Sequence, residues 1–149
     1  MKFIHPAFFY HLIFKVSKPE IQKLIGEIEN TIVEWPGLYT AIHEMGGVVF
    51  LYDQTEIGHI HWNGNLDIVF GKHLTSQLLR LGKIKHHNFL PESAITFQVV
   101  NREDIPFAIS LLQFSYLRLL RKIGDNALMI EAYIENEIIK LPEELKMIL

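Results

Sequence analysis

"EIGHIHWNGNLDIVF", Glu56 to Phe70, decides the fold. Asn63-Gly64 is the strongest hairpin signal in the chain, because both residues tolerate the left-handed backbone of a tight turn. The stretch therefore splits into a strand at "EIGHIHW", a turn at Asn63-Gly64-Asn65 and a strand at "LDIVF". Just upstream, "VVFLY" (Val48 to Tyr52) reads as another strand, joined by a short turn at Asp53-Gln54-Thr55. Strands joined by such short turns must be antiparallel neighbours.

Side chains alternate along a strand. Ile57, His59 and His61 should share one face, and Glu56, Gly58, Ile60 and Trp62 the other. The two histidines then stand together, about 7 Å apart along the strand. On the next strand Asp67 and Val69 oppose Leu66, Ile68 and Phe70. The helix-covered face should be the more apolar one. This puts Ile60, Trp62, Leu66, Ile68 and Phe70 inward, with His59, His61 and Asp67 on the open face. Gly58 carries no side chain, so a neighbour can approach the backbone closely there.

Working outward, Ser17-Lys18-Pro19-Glu20 looks like a helix start, with Ser17 as cap and Pro19 in the first turn. Ile21, Leu24, Ile25, Ile28 and Ile32 continue its apolar face. Trp35-Pro36-Gly37 ends it. After the strands, a helix is predicted over His73 to Leu81, with Gly82 past its end. "KIKHHNFLPES" reads as a loop, and "AITFQVV" (Ala94 to Val100) as a fourth strand. Asn101 caps a long helix whose first turn carries Glu103 and Asp104. Its apolar stripe is Ile105, Ile109, Leu112, Tyr116, Leu119, Leu120 and Ile123. Gly124-Asp125 breaks it, and a last helix runs near Ala127 to Lys140. The order α-β-β-β-α-β-α, with terminal helices, predicts an α+β fold: an antiparallel sheet of about four strands with helices on one face.

The totals bound the function. The 149 residues suit one domain spanning 1–149, able to bury a real core without staples. A net charge of −3 argues against nucleic-acid binding, since phosphate neutralisation needs a basic stripe. Arg80, Lys83 and Lys85 read as a solvated face. No cysteine is present, which excludes disulfides, thiolate metal sites and cysteine nucleophiles. A cytoplasmic location is the expectation that fits. "MKFIHPAFFYHLIFKV" is a poor signal peptide, interrupted by His5, Pro6 and His11, and too short to span a bilayer. Phe8, Leu12 and Val16, beside Phe9 and Ile13, recur at helical spacing. A helix over 1–16 docked on the core is the favoured reading; a membrane-surface or homodimer contact is the less favoured one.

Three uses of the His-x-His pair stay open on residues alone. The first is as solvated sheet residues. The second is as metal ligands, with Asp67, Glu56 or His87 adding a third ligand. The third is as general base on an organic substrate near neutral pH. Asp53, Glu56 and Asp67 do not make a convincing carboxylate pair, and Ser93 with His87 lacks a nucleophile elbow.

Taken in order, "WPG" at Trp35, "GGVVF" at Gly46, "EIGHIHWNGNLDIVF", "LLRLGKIKHHNFLPES" from Leu78 and "LLQFSYLRLL" from Leu111 resemble the luciferase-like domain family. These are small bacterial and fungal domains named after the fungal luciferases. The resemblance covers about residues 34–122, leaving a helical extension over 125–149. It implies a shared fold and a shared cluster at His59, His61, Asp67 and His87, with His87 rather than His86 as the loop histidine. It implies cofactor-independent oxidation or general-base chemistry on a small organic molecule, with no cofactor or metal. Light emission is not implied. Glu56, Trp62 and Ser93 are expected beside the substrate. Trp62 stands where a small residue is usual, and Ala94-Ile95 where Gly-Trp is usual. A non-catalytic ligand-binding or dimerising module, and a metal-dependent enzyme using the His cluster, remain the alternatives.

Overall fold

The structure, a computed structural model, describes residues 6–124 and 127–149. Helices α1 (Pro6–Ser17) and α2 (Pro19–Ile32) come first. Strands β1 (Leu38–Ile42), β2 (Val48–Tyr52), β3 (Thr55–Ile60) and β4 (Asn65–Val69) follow, then helix α3 (Lys72–Leu79). Strands β5 (Lys85–His86) and β6 (Ala94–Gln98) lead to a 3-10 turn at Arg102–Asp104. Helices α4 (Ile105–Ile123), α5 (Ala127–Ile138) and α6 (Glu143–Lys146) complete the chain.

The sheet is antiparallel throughout, in the order β1-β2-β3-β4-β6-β5. The α+β expectation holds, but the sheet has six strands rather than about four. β1 lies where only a connection was expected after Trp35-Pro36-Gly37, and β5 lies within the expected loop. β2 and β3 are joined through Asp53 and Gln54, both at positive φ, as a tight hairpin turn between right-twisted strands requires.

One cross-strand row, Ile60, Leu66 and Phe97, faces the helices and is buried. The adjacent row on the other face reads Val49, His59, Asp67, Thr96 and Lys85. The alternation expected of β3 holds for His59, Ile60, His61 and Trp62. It fails at its start. The β2–β3 register slips between Phe50 and Leu51, so Gly58 pairs with Phe50 and Glu56 with Leu51. Ile57 is the extra residue of this bulge. An extra residue reverses the alternation. Ile57 thus joins the core instead of the histidine face, and Glu56 turns toward His59.

Helix α4 packs against α2, α5 and β3. It is covered on more than one side, so its buried set is wider than the expected stripe. Ala108, Leu111, Phe114 and Leu117 are buried with Leu112, Tyr116 and Leu120, whereas Ile123 is exposed. Tyr116 stacks on Trp35 at 5.7 Å and donates its hydroxyl to the Pro36 carbonyl at 2.7 Å. Leu112 presses on the backbone of Gly58, where a Cβ would meet it at 2.9 Å. The Asp104 carboxylate accepts the N–H groups of Val100 and Asn101, fixing the start of the helix.

At the amino end, α2 has Lys18 rather than Ser17 at its N-cap position. The side chains of Phe9, Val16 and Ser17, and residue Asp125, lie outside the described residues. Phe8 of α1 packs edge-on against Trp62 at 5.6 Å, while Leu12 and Ile13 are exposed. No helix among the described residues is long and apolar enough to cross a membrane.

Candidate functional site

Asp67 sits in the middle of β4, beside His59 on β3 and Thr96 on β6. It is buried on the sheet face away from the helix layer. Its Oδ1 accepts the Thr96 hydroxyl at 2.5 Å. Its Oδ2 is ringed by imidazoles: His61 Nε2 at 3.2 Å, His87 Nε2 at 3.5 Å and His59 Nε2 at 3.6 Å. The resemblance pointed to these four residues, and the fold brings them together. His61 follows β3 directly, and His87 follows β5.

Each ring is oriented by what its other nitrogen meets. His59 Nδ1–H donates to Glu56 Oε1 at 2.6 Å, and His61 Nδ1–H donates to the Gly46 carbonyl at 2.9 Å. Carboxylates and carbonyls only accept, so both rings carry a proton at Nδ1. His87 is the reverse. Its Nδ1 accepts the backbone N–H groups of Phe89 and Leu90, both at 3.1 Å. A neutral His87 therefore carries its proton at Nε2, facing Asp67.

Sequence reasoning missed His43, which follows β1. Its ring stacks on His59 with centroids 4.0 Å apart and planes 12° apart. Its Nδ1 accepts the Met45 N–H at 3.3 Å. His43, His59 and His61 each bring a ring nitrogen within 4.8 Å of the other two. No local signal marks His43; only the pairing of β1 with β2 places it here.

The charges are uneven. Burial disfavours an imidazolium at His59, but the carboxylates of Asp67 and Glu56 outweigh it and raise its pKa to about 9. The Asp67–His59 contact, at 3.6 Å, acts as electrostatic attraction rather than as a hydrogen bond. Asp67 is held well below the usual carboxylate range: burial opposes this, and His59, His61 and the Thr96 hydroxyl prevail. His43 goes the other way. Burial, then the neighbouring His59 and His61, lower it to about 4.

Above this floor opens a hollow of about 300 Å³, lined by His61, Asp67, His87, Thr96, Asn65 and Met45 among others. Ala7 of α1 stands at its wall. His59, expected to line the pocket with His61, stands behind Asp67 and is not on its wall. The other expected substrate contacts also lie elsewhere. Trp62 is buried in the core under Phe8, with Lys15 over its ring at 4.5 Å. Glu56 supports His59 from the side. Ser93 offers its carbonyl to the N–H groups of Phe70 and Gly71. His86 turns away, its Nδ1–H donating to the Pro91 carbonyl at 2.7 Å.

The family model for the Luciferase domain matches residues 54–115. The resemblance carried by the motifs therefore holds over that span, narrower than the expected 34–122. It includes His59, His61, Asp67 and His87, and leaves out His43. No curated protein and no solved structure matches the chain.

Proposed function

We propose that this chain, luciferase-like over residues 54–115, is an enzyme that binds a small organic molecule bearing an acidic hydroxyl or enol and promotes loss of its proton. The observation that carries this reading is the convergence of three imidazole Nε2 atoms on one buried Asp67 oxygen at the floor of an open hollow. A hydroxyl entering the hollow meets two complementary groups. His61, with its proton fixed at Nδ1, offers the lone pair of Nε2. His87, with its proton at Nε2, offers a donor to the oxygen left behind. The Asp67 carboxylate beside His61 stabilises the imidazolium that forms, as a positioned base requires. The resulting electron-rich anion is of the kind that reacts with dioxygen, which agrees with the luciferase-like match.

Titration with 4-nitrophenol, and with 4-nitroanisole as the partner lacking the proton, tests this. The phenol should bind with growth of the phenolate absorbance, and the anisole should not. Equal binding of both, or of neither, overturns the reading.

A further inference from the structure

We infer that the floor of the hollow is a binding site for one divalent transition-metal ion, held by Nε2 of His59, Nε2 of His61 and Oδ2 of Asp67. The use of the ion rests on the proposed small-molecule reading; its binding does not.

The first support is the pair of tautomers. His59 and His61 both place their proton at Nδ1, on Glu56 and on the Gly46 carbonyl. Both rings therefore turn Nε2, the nitrogen that gives up any proton it holds when an ion binds, toward Asp67. Histidines that bind metals are held in this way, with the remote N–H tied to a carboxylate or carbonyl. The second support is distance. Charge-assisted N–H···O bonds are about 2.7–2.9 Å long. Here Nε2 lies 3.2 Å (His61) and 3.6 Å (His59) from Asp67 Oδ2. Metal bonds of about 2.0–2.1 Å at a tetrahedral angle separate two ligand atoms by about 3.4 Å. At His59 the spacing fits ligands sharing an ion better than hydrogen-bonded partners, and at His61 it suits either. The third support is an orphan: Nε2 of His59 is buried with no hydrogen-bond partner. Such groups are rare and costly.

Ring planes select the ligands. The lone pair of an imidazole lies in its plane. The His59 and His61 planes cross at 81°, so both can aim at one point. His43 lies parallel to His59, one ring above it, and parallel planes share no such point. His43, although a near neighbour, is a wall rather than a ligand. His87 is excluded because its Nε2 carries a proton; it keeps its role as a donor to whatever lies above Asp67.

Two imidazoles and one carboxylate suit zinc, iron, cobalt or nickel, and not magnesium or calcium, which take all-oxygen shells. Three protein ligands leave a position open, and His61 and Asp67 both line the hollow. A substrate oxygen bound there would have its hydroxyl acidified by coordination. Without the ion, the lone pair of His61 is the remaining proton acceptor.

The test uses the full untagged chain, stripped with chelator, dialysed and titrated with cobalt(II) and zinc(II). One equivalent should bind, with the visible absorption of a low-coordinate cobalt site and a higher melting temperature; magnesium and calcium should give neither. Asp67→Asn should weaken cobalt binding by about 100-fold or more, beyond the 10–100-fold typical of losing a supporting partner. His43→Phe should keep one equivalent. Circular dichroism shows whether each variant folds, and the wild-type stoichiometry and spectrum stand without them. Folded wild-type protein that binds no ion overturns the inference, as does a folded Asp67→Asn variant with unchanged affinity. Folded protein that takes up no ion yet binds 4-nitrophenol would sink the metal site and leave the proposed function; protein that binds the ion but ignores the phenol, loaded or stripped, would do the opposite.

Discussion

Glu56 hydrogen-bonds to His59 at 2.6 Å although it lies three positions before it on one strand. In a regular strand such residues face opposite sides. The bulge at Ile57 reverses the alternation, so the carboxylate reaches the ring from the same side. Glu56 thereby fixes the His59 tautomer. Glu56→Gln keeps an acceptor but removes the charge. This variant should fold normally and lose cobalt affinity by about 10–100-fold. Competition against a chromogenic chelator measures it, and unchanged affinity would show that Glu56 does not orient the ring.

In ion-free protein the same contacts couple stability to pH. His59 is raised from an ordinary 6.5 to about 9 in the folded chain. Below about 6.5 it is charged in both folded and unfolded states, and the stabilisation is complete. As pH rises through about 9 the folded protein loses that proton and the stabilisation with it. Asp67, shifted downward, stabilises above the ordinary carboxylate range and loses its contribution only in strong acid. The unfolding free energy of ion-free protein, measured by urea titration, should therefore fall between about pH 6 and pH 9.5, by an amount on the order of 1–3 kcal/mol. His59→Gln should flatten that fall; an equally steep fall in the variant would assign it to other groups.

The sequence made the centre of the site legible because alternation is local. His59 and His61 against Ile60 and Trp62 follows from strand geometry alone, and Asn63-Gly64 sets the next strand. What was not legible depends on partners. Whether β3 bulges is decided by its register against Phe50 and Leu51, which no pattern within "TEIGHI" records. β1 is a five-residue edge strand with Tyr39 and Ile42 exposed, so it lacks the apolar alternation that announces a half-buried strand. With β1 unseen, His43 could not be placed. The choice of His87 over His86 came from the resemblance and not from any local pattern; in the fold His87 faces Asp67, while His86 is tied to Pro91.

Gly47 links the turn after β1 to the site. Its φ is +133°, and a Cβ there would lie 2.1 Å from the Ile60 carbonyl oxygen. Neither can relax without moving β3, because the obstacle is backbone. Gly47→Ala should destabilise the fold by about 3 kcal/mol or more, combining strain with overpacking. It should also loosen His61, whose Nδ1 partner is the neighbouring Gly46 carbonyl. Chemical denaturation and the ring NMR signals of His61 report the two effects; a variant as stable as wild type would mean the hairpin shifts freely.

Gly58 offers a contrasting case on the other face. A Cβ there would meet side-chain atoms most closely, Leu112 Cδ2 and Ile68 Cγ1 each at 2.9 Å, with the Asp67 carbonyl oxygen farther off at 3.3 Å. Side chains can yield where backbone cannot, so Gly58→Ala should cost about 1–3 kcal/mol through overpacking. Leu112→Ala alone should cost about 2–5 kcal/mol, since Leu112 is fully buried and leaves a cavity. In the double variant the new methyl enters that cavity. The combined loss should then be smaller than the sum of the single losses by on the order of 1 kcal/mol. A double-mutant cycle from urea denaturation checks this, and strict additivity would mean that α4 does not rest on the β3 backbone at Gly58.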